Sequence, residues 1–413
     1  MSDHIGVLRL PREVRFGFGA RTAVAGLAAA FGERVAFVAD PFLADTDDFR
    51  AVLTQAHDRG CRTELLADVP PELPVASVET AAEALRSFSP DVIVGYGGGS
   101  ALDAAKLVAL LLAHPAPLDR YYGENAVPGP VTPLVAVPTT AGTGSEVTPV
   151  AVVSDPSRAV KVGVSSPHLI PAVAVVDPEL TMTAPAGVTT YAGIDAFVHA
   201  VESFTAAPVA DVGADRLPVF VGRDALTEPL SLEAARLIHR SLPVALAHPA
   251  DRRAREEMSR ASLLAGMAFG SAGTHVSHAM QYPIGALTHT PHGLGTGTLL
   301  PFVLQAFLPA IADRLAVLGD ALALDAEGDE LARAQAAVDA IAELCARIGL
   351  PASLAELGVT EADREQVVTL SLQARRLVDI APSPVDVHLM GAIFDAALAG
   401  DRSLLSGALE ARR

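Results

Sequence analysis

The stretch VIVGYGGGSALDAAKLVALLLAH, residues 92–114, decides the fold. It opens as a short apolar run of the kind found in a strand buried on both faces. The run reaches Gly97, Gly98 and Gly99, and from Ser100 the apolar and alanine positions recur at helical spacing as far as His114. A buried strand that passes through glycines into a helix is the first half of a βαβ unit. Glycines at that junction let the backbone come close to a pyrophosphate. The helix start adds unpaired N–H donors and the positive end of its dipole. GGGS lacks the GxGxxG spacing, so by itself it is a weak dinucleotide signal.

Working outward, the same rhythm repeats. RVAFVAD (34–40) is an apolar run ending in Asp, and FLADTDDFRAVLTQAHDRG (42–60) reads as a helix with a glycine stop. TPLVAVPTTAGTGSE (132–146) is a strand followed by a small-residue loop, and AVAVVDPEL (172–180) is a further short strand. Strands alternating with helices predict a parallel sheet covered on both faces. Its carboxyl edge, where ligands bind such sheets, would carry the glycine turn and a second, hydroxyl-rich loop of Thr139, Thr140, Gly142, Thr143, Gly144 and Ser145. Asp40 ends the first of these strands. A carboxylate there bonds a ribose 2′-hydroxyl and repels a 2′-phosphate, which favours NAD over NADP; equally, Asp40 caps a helix that starts at Pro41.

TMTAPAGVTTYAG (181–193) breaks the rhythm, which puts a domain boundary there: residues 1–184 as a nucleotide-binding α/β domain and 185–413 as a helical one. DAFVHAVESFTA, SLEAARLIHRSLPVALA, ADRRAREEMSRASLLAGMAFG and residues 329–349 all show helical periodicity, with Gly and Pro expected mainly between them. Residues 207–230 are the longest stretch without periodicity, a length associated with function or mobility.

Composition narrows the classes. A chain of 413 residues suits two large domains, and 50% hydrophobic with 19% charged residues is globular rather than disordered. A net charge of −18 argues against a nucleic-acid partner and against anionic membranes. No run of consecutive apolar letters approaches the roughly 18–20 needed to span a bilayer; VALLLA (108–113) ends at His114. The start, MSDHIGVLRLPREV, lacks the basic and apolar regions of a signal peptide. Cys61 and Cys345 form no CxxC pair and read as buried thiols, with a cytoplasmic location as the expectation.

In GIDAFVHAVESF (193–204), Asp195 and His199 stand one helical turn apart and project from one face. In GTHVSHAMQYPIGALTHTPHGLGTG (273–297), four of the chain's twelve histidines fall between positions 275 and 292. Pro283, Pro291 and the glycines indicate turns there, yet the surroundings are largely apolar, and buried imidazoles need partners. Asp195, His199 and two of these histidines would make a one-carboxylate, three-imidazole set suited to Fe²⁺ or Zn²⁺ and too rich in nitrogen for Mg²⁺ or Ca²⁺. Spacing does not choose two among His275, His278, His289 and His292.

At these residues the chain resembles the iron-containing (group III) alcohol dehydrogenase family over essentially its whole length. The matching stretches are GGGSALDAAK (97–106), PTTAGTGSEVT (138–148), VVDPELT (175–181), GIDAFVHAVES (193–203) and HAMQYPIGALTHTPHG (278–293). The resemblance implies a dehydroquinate synthase-like architecture: a Rossmann-like N-terminal domain, an all-α C-terminal domain and an active site in the cleft between them. It selects Asp195, His199, His278 and His292 as metal ligands. It assigns cofactor contacts to Asp40, Gly97, Gly98, Gly99, Ser100, Asp103, Thr139, Thr140 and Ser145, and to Lys161 beside the nicotinamide ribose. A homodimer or larger homo-oligomer is implied as well. Some members carry a proton-relaying histidine four residues after the third ligand; here Tyr282 stands at that position, with His275 and His289 as substitutes.

The implied reaction is hydride transfer between NAD(H), with NADP as the alternative, and an alcohol–aldehyde or hydroxyacid–oxoacid pair. The longer connection after Glu202 and the presence of His275 look like the hydroxyacid–oxoacid transhydrogenase branch. They point to an anionic substrate met by Arg216 or Arg223. Reduction of a specialised aldehyde such as a phosphonate aldehyde, and a non-catalytic metal-stabilised binding protein, are the other readings.

Overall fold

The computed structural model describes residues 5–70, 72–158, 160–209 and 217–406. Two compact units emerge, one of Arg9–Ala184 and one of Pro185–Arg413 joined by Met1–Leu8.

The first unit is built on strands β1 (Glu13–Phe16), β2 (Arg34–Ala39), β3 (Arg62–Leu66), β4 (Val92–Gly97), β5 (Gly123–Glu124), β6 (Leu134–Pro138), β7 (Val150–Val153), β8 (Val162–Ser165) and β9 (Val173–Val176). Its helices are α1 (Val24–Ala29), α2 (Pro41–Ala44), α3 (Asp47–Asp58), α4 (Val75–Arg86) and α5 (Gly99–Ala113). Six strands form one sheet in the order β1-β9-β6-β4-β2-β3, all neighbours parallel. Successive residues of β2 serve opposite cores. Val35, Phe37 and Ala39 join the cluster with α1 and α3, while Ala36 and Val38 join the cluster with α4 and α5. Burial on both faces explains why β2, β4, β6 and β9 are continuous apolar runs.

The chain steps from β2 outward to β3, and from β4 in the other direction to β6 and β9. The carboxyl ends of β2 and β4 therefore flank the point where the winding reverses, the ligand-binding position of such sheets. Sequence patterning does not reveal the second sheet, β5-β8-β7, whose strands have two to four residues and pair both parallel and antiparallel.

The second unit is helical: α6 (Ala186–Thr205), α7 (Glu228–Ala247), α8 (Arg252–Ala272), α9 (Val276–Thr288), α10 (His292–Phe307), α11 (Ala312–Ala321), α12 (Glu330–Arg347), α13 (Arg364–Gln373), α14 (Arg375–Val378) and α15 (Val387–Ala399). Helices α6, α7 and α8 pack on one another, and α10 packs on α6.

Several expectations change here. The residues ahead of Arg9 group with the helical unit rather than with the sheet, because the Val7 N–H donates to Asp224 Oδ2 at 2.9 Å. Pro243, Pro283 and Pro301 lie inside helices rather than between them. The glycines of HGLGTG are not turn residues either. A Cβ on Gly293 would stand 1.9 Å from the Tyr191 carbonyl oxygen and 2.8 Å from Asp195 Cβ; one on Gly297 would stand 2.6 Å from Ile194 Cγ1. These glycines let the backbone of α10 lie directly against α6, at a propensity cost of about 0.5–1 kcal/mol each. They also hid a long apolar element. His292–Ala310 is long and apolar enough to cross a membrane by length and composition, but 78% of that window is buried inside the protein, where it forms core.

Of the aperiodic stretch, Arg216 lies outside the described residues, and Glu228 already begins α7. Between them Asp224 shapes a turn, its Oδ1 accepting from the N–H groups of Leu226 and Thr227.

Candidate functional site

Asp195 and His199 point the same way from α6, both buried. Their nearest ligand atoms, Asp195 Oδ2 and His199 Nε2, are 3.8 Å apart. His278 enters from α9 and His292 from the first residue of α10, their Nε2 atoms 3.9 and 3.7 Å from Asp195 Oδ1. Ligand atoms of Asp195, His278 and His292 all lie within 4.8 Å of one another. Four donors about 2.1 Å from one ion in a tetrahedral array would stand about 3.4 Å apart, so these three side chains are close to a ligating arrangement, with His199 beside the other Asp195 oxygen. The His199 ring stacks between Phe269, at 4.1 Å, and His278, at 4.9 Å. His292 is the exposed member, with 42% of its side chain accessible.

Protonation is set by burial and neighbours. Burial pushes the Asp195 carboxyl up, but His199, His292, His278 and the Thr296 hydroxyl, which donates to Oδ1 at 3.1 Å, together hold it below the usual carboxylate value. His278 is driven well below 6.5 by burial, then by the neighbouring imidazoles, with Asp195 opposing and Arg376 adding to the shift. It is therefore neutral. Its Nδ1–H donates to Glu202 Oε2 at 2.7 Å, which places the lone pair on Nε2. That Nε2 is buried and has no hydrogen-bond partner, as is the case for His199 Nδ1. An unsatisfied buried acceptor beside a carboxylate and two further imidazoles is what a cation site requires, and the donor set fits a divalent ion of the iron or zinc type.

Glu202 does more than orient one ring. It is fully buried, and its two oxygens also accept from the backbone N–H of His275 at 2.8 Å and of Ser277 at 2.7 Å. One carboxylate thus fixes both the start of α9 and the tautomer of the histidine in its first turn.

His275 has both ring nitrogens engaged within the protein. It is fully buried at the N-cap of α9, its Nδ1 accepting from Val276 N–H and its Nε2 bonded to Thr205 Oγ1 at 2.9 Å. Its Nδ1 lies 3.2 Å from Glu202 Oε1, which is no ion pair, because burial lowers the imidazole's proton affinity and keeps it neutral. His289 is an exposed, left-handed C-cap of α9, and its side chain shares none of the bonds that tie the cluster together. Tyr282 does reach the cluster. Its ring lies over His292 with centroids 6.3 Å apart, and its Oη accepts from Arg376 Nη2 at 2.8 Å.

In the α/β unit, Gly98 is the N-cap of α5 and supplies no side chain to the free N–H groups of the first turn. The loop after β6 closes over this turn: a Cβ on Gly99 would stand 2.6 Å from Thr143 Cγ2, and one on Gly98 3.5 Å from Thr140 Cγ2. Asp40 and Thr139 enter the same edge, their backbone N–H groups bonded to Tyr96 O and Gly97 O. Asp40 caps α2, accepting from Phe42 N–H at 3.0 Å. Asp103 is half-buried, and its oxygens accept from Ser145 Oγ at 2.6 Å and Val152 N–H at 2.9 Å, so it fixes the second loop to α5. Lys106, fully buried, donates to the carbonyls of Thr148 and Val150. Burial lowers it to about 8 and raises Glu146 to about 7. Lys161 stands 3.9 Å from Glu72 with 40% of its side chain exposed.

Comparison with known proteins agrees with this geometry. The model for iron-containing alcohol dehydrogenase matches residues 11–178, and that for the C-terminal part of the Fe-containing alcohol dehydrogenase family matches residues 189–398. The chain belongs to the iron-containing alcohol dehydrogenase family. It is 33% identical to long-chain-alcohol dehydrogenase 1 of Geobacillus thermodenitrificans over 372 residues, 89% of this chain and 90% of that one. The structure of a 1,3-propanediol oxidoreductase superposes with a TM-score of 0.89 at 30% identity, covering 96% of this chain and all of the other. A sulfoacetaldehyde reductase from Bifidobacterium kashiwanohense in complex with NAD⁺ gives 0.81 at 27% identity, covering 97% and 100%. The dehydroquinate synthase-like architecture and the NAD-linked alcohol–aldehyde oxidoreductase activity stand on these matches together with the parallel sheet and helical unit described above.

In this iron-type alcohol dehydrogenase, Glu202 and Thr296 are the site residues that motif reading passes over. Both carry a usable signal. Glu202 follows Asp195 and His199 at i+7 and i+3, on one stripe of α6, and Thr296 follows His292 at i+4.

Proposed function

We propose that Asp195, His199, His278 and His292 hold one divalent metal ion, Fe²⁺ in preference to Zn²⁺, in an enzyme that interconverts a small aldehyde and its alcohol with NAD(H). The observation that carries this reading is the buried Nε2 of His278, without a partner and 3.9 Å from Asp195 Oδ1. The donor set suits iron or zinc, and the family's description favours iron.

A bound divalent ion supplies Lewis acidity toward the substrate oxygen, and the nicotinamide supplies or takes the hydride. The chain's own residues do the rest. Three neutral imidazoles and one carboxylate leave the centre with net positive charge, which suits a substrate oxygen that becomes anionic. Glu202 keeps His278 in the ligating tautomer. Tyr282 Oη accepts from Arg376, so its own O–H remains free to give a proton to the substrate oxygen. In the α/β unit, the uncapped first turn of α5 with Gly98, Gly99 and Ser100 receives the pyrophosphate. Asp40 meets the ribose hydroxyls, which favours NAD over NADP. Thr139, Thr140 and Lys161 complete the cofactor contacts, while Asp103 and Ser145 hold the second loop in shape. A cytoplasmic homodimer is carried by the family resemblance.

The test is anaerobic NADH oxidation by the iron-loaded protein across a panel of aldehydes, with and without a chelator. Aldehyde-dependent oxidation that the chelator abolishes while NADH still binds is the expected result. Undiminished turnover after the metal has been removed would contradict the reading.

A further inference from the structure

Arg376 is the one cation that reaches the metal cluster without an acid of its own among the described residues. It sits in the short helix α14, anchored by the buried Leu377 and Val378. Its guanidinium lies over the Phe220 ring, 5.2 Å from the centroid, and donates from Nη2 to Tyr282 Oη at 2.8 Å. Tyr282 in turn lies over His292. Neighbouring arginines differ. Arg375 pairs with Asp379, and Arg223 shares the Glu228 carboxylate, at 3.6 Å, with Arg314, at 2.8 Å.

A guanidinium presents five N–H donors in a planar fork. Arg376 uses one on a neutral phenol and rests on an aromatic face, and both contacts hold its plane without cancelling its charge. A half-buried cation that no acid among the described residues compensates, beside a centre that is itself positive with metal bound, is costly unless an anion arrives with the substrate. We propose that Arg376, held in place by Tyr282 and Phe220, forms a subsite for an oxoanion on the substrate, so that the preferred substrates are short aldehydes or alcohols carrying a carboxylate, sulfonate or phosphonate group. The fork matches such a group bidentately. Phe220 and Tyr282 restrict the guanidinium's orientation, and the anion screens its charge from the cluster. This rests on the metal-centre reading above and adds the class of substrate.

The experiment compares kcat and KM of the iron-loaded enzyme with NADH for 4-oxobutanoate and sulfoacetaldehyde against butanal, in wild type, Arg376→Gln and Arg376→Lys, with Arg375→Gln as the charge control. Wild type should prefer at least one anionic aldehyde by at least about tenfold in kcat/KM, chiefly through KM. Arg376→Gln should erase that preference, a loss of about 10- to 100-fold, and Arg376→Lys should keep part of it. Arg375→Gln should retain the wild-type ratio. A ligand-observed NMR titration of ethanesulfonate with the metal-free protein reads the subsite without turnover, and binding should weaken at least about tenfold in Arg376→Gln. A wild-type preference for butanal, or an anion preference and ethanesulfonate binding unchanged in Arg376→Gln, would overturn the proposal. Failure to turn over any aldehyde would instead count against the metal-centre reading, with the NMR titration still deciding the subsite.

Discussion

The glycine turn of the α/β unit and the metal cluster of the helical unit solve the same problem by opposite means. The turn at Gly97–Ser100 offers backbone N–H groups, so its chemistry lies in one local stretch of chain at the start of α5. The cluster offers side chains from α6, α9 and α10, positioned by a carboxylate that belongs to none of the ligands and by glycines that bring two helices into contact. Glycine serves both, but a Cβ at Gly98 would meet only Thr140 at 3.5 Å, whereas one at Gly293 would strike another helix.

Mutations should separate the two designs. The largest effect is expected at the ligands: Asp195→Asn should weaken metal binding by more than about 100-fold and cut turnover with it, since a carboxylate at the ion outweighs the 10- to 100-fold typical of outer partners. Chelator competition measures this, and full metal content with normal turnover would sink it. Glu202→Gln should lower metal affinity by about 10- to 100-fold. It should also cost about 1–3 kcal/mol of stability, because the amide cannot accept all of the bonds that Glu202 holds. Urea unfolding and metal titration read the two effects separately.

Gly293→Ala and Gly98→Ala test the glycine contrast. The first forces a Cβ against the Tyr191 carbonyl oxygen and should cost about 1–3 kcal/mol with a parallel loss of metal affinity. The second has 3.5 Å of space to Thr140, so its stability should change by less than about 1 kcal/mol while NADH binding weakens. Equal destabilisation by both would erase the distinction.

The smallest effect concerns pH. Glu146 is raised to about 7 in the folded protein, so the native state binds more protons than the unfolded one between its ordinary value near 4.5 and 7. Stability from this group is complete below that window and is lost as pH rises through it. Lys106, lowered to about 8 from 10.5, acts above that window: its unfolded form binds more protons, so stability recovers as pH rises from 8 toward 10.5. Glu146→Gln should flatten the melting-temperature profile between about pH 4.5 and 7. A profile as steep as that of wild type would show that another group titrates there.

The contrast also explains what the sequence made legible. Local features came through: β2, β4, β6 and β9 as apolar runs, the glycine turn, and Asp195 with His199 one turn apart. Features that depend on what faces a residue from elsewhere did not. Gly293 and Gly297 read as turn formers because nothing nearby in sequence announces the helix they touch. Pro283 reads as a break, yet sits within α9. His275 and Glu202 exchange importance once folded: the histidine is a buried cap, and the glutamate, an ordinary surface letter in a helical pattern, becomes the hub of the α9 start. The bonds by which Asp103 braces the second loop likewise join residues more than forty positions apart.

The most direct test of the metal centre is the metal content and affinity of wild type and His278→Ala, measured beside circular dichroism and NADH binding. One divalent ion per chain in wild type, lost in the variant while fold and NADH binding persist, is the predicted result. A His278→Ala protein that keeps one ion per chain at wild-type affinity would contradict it.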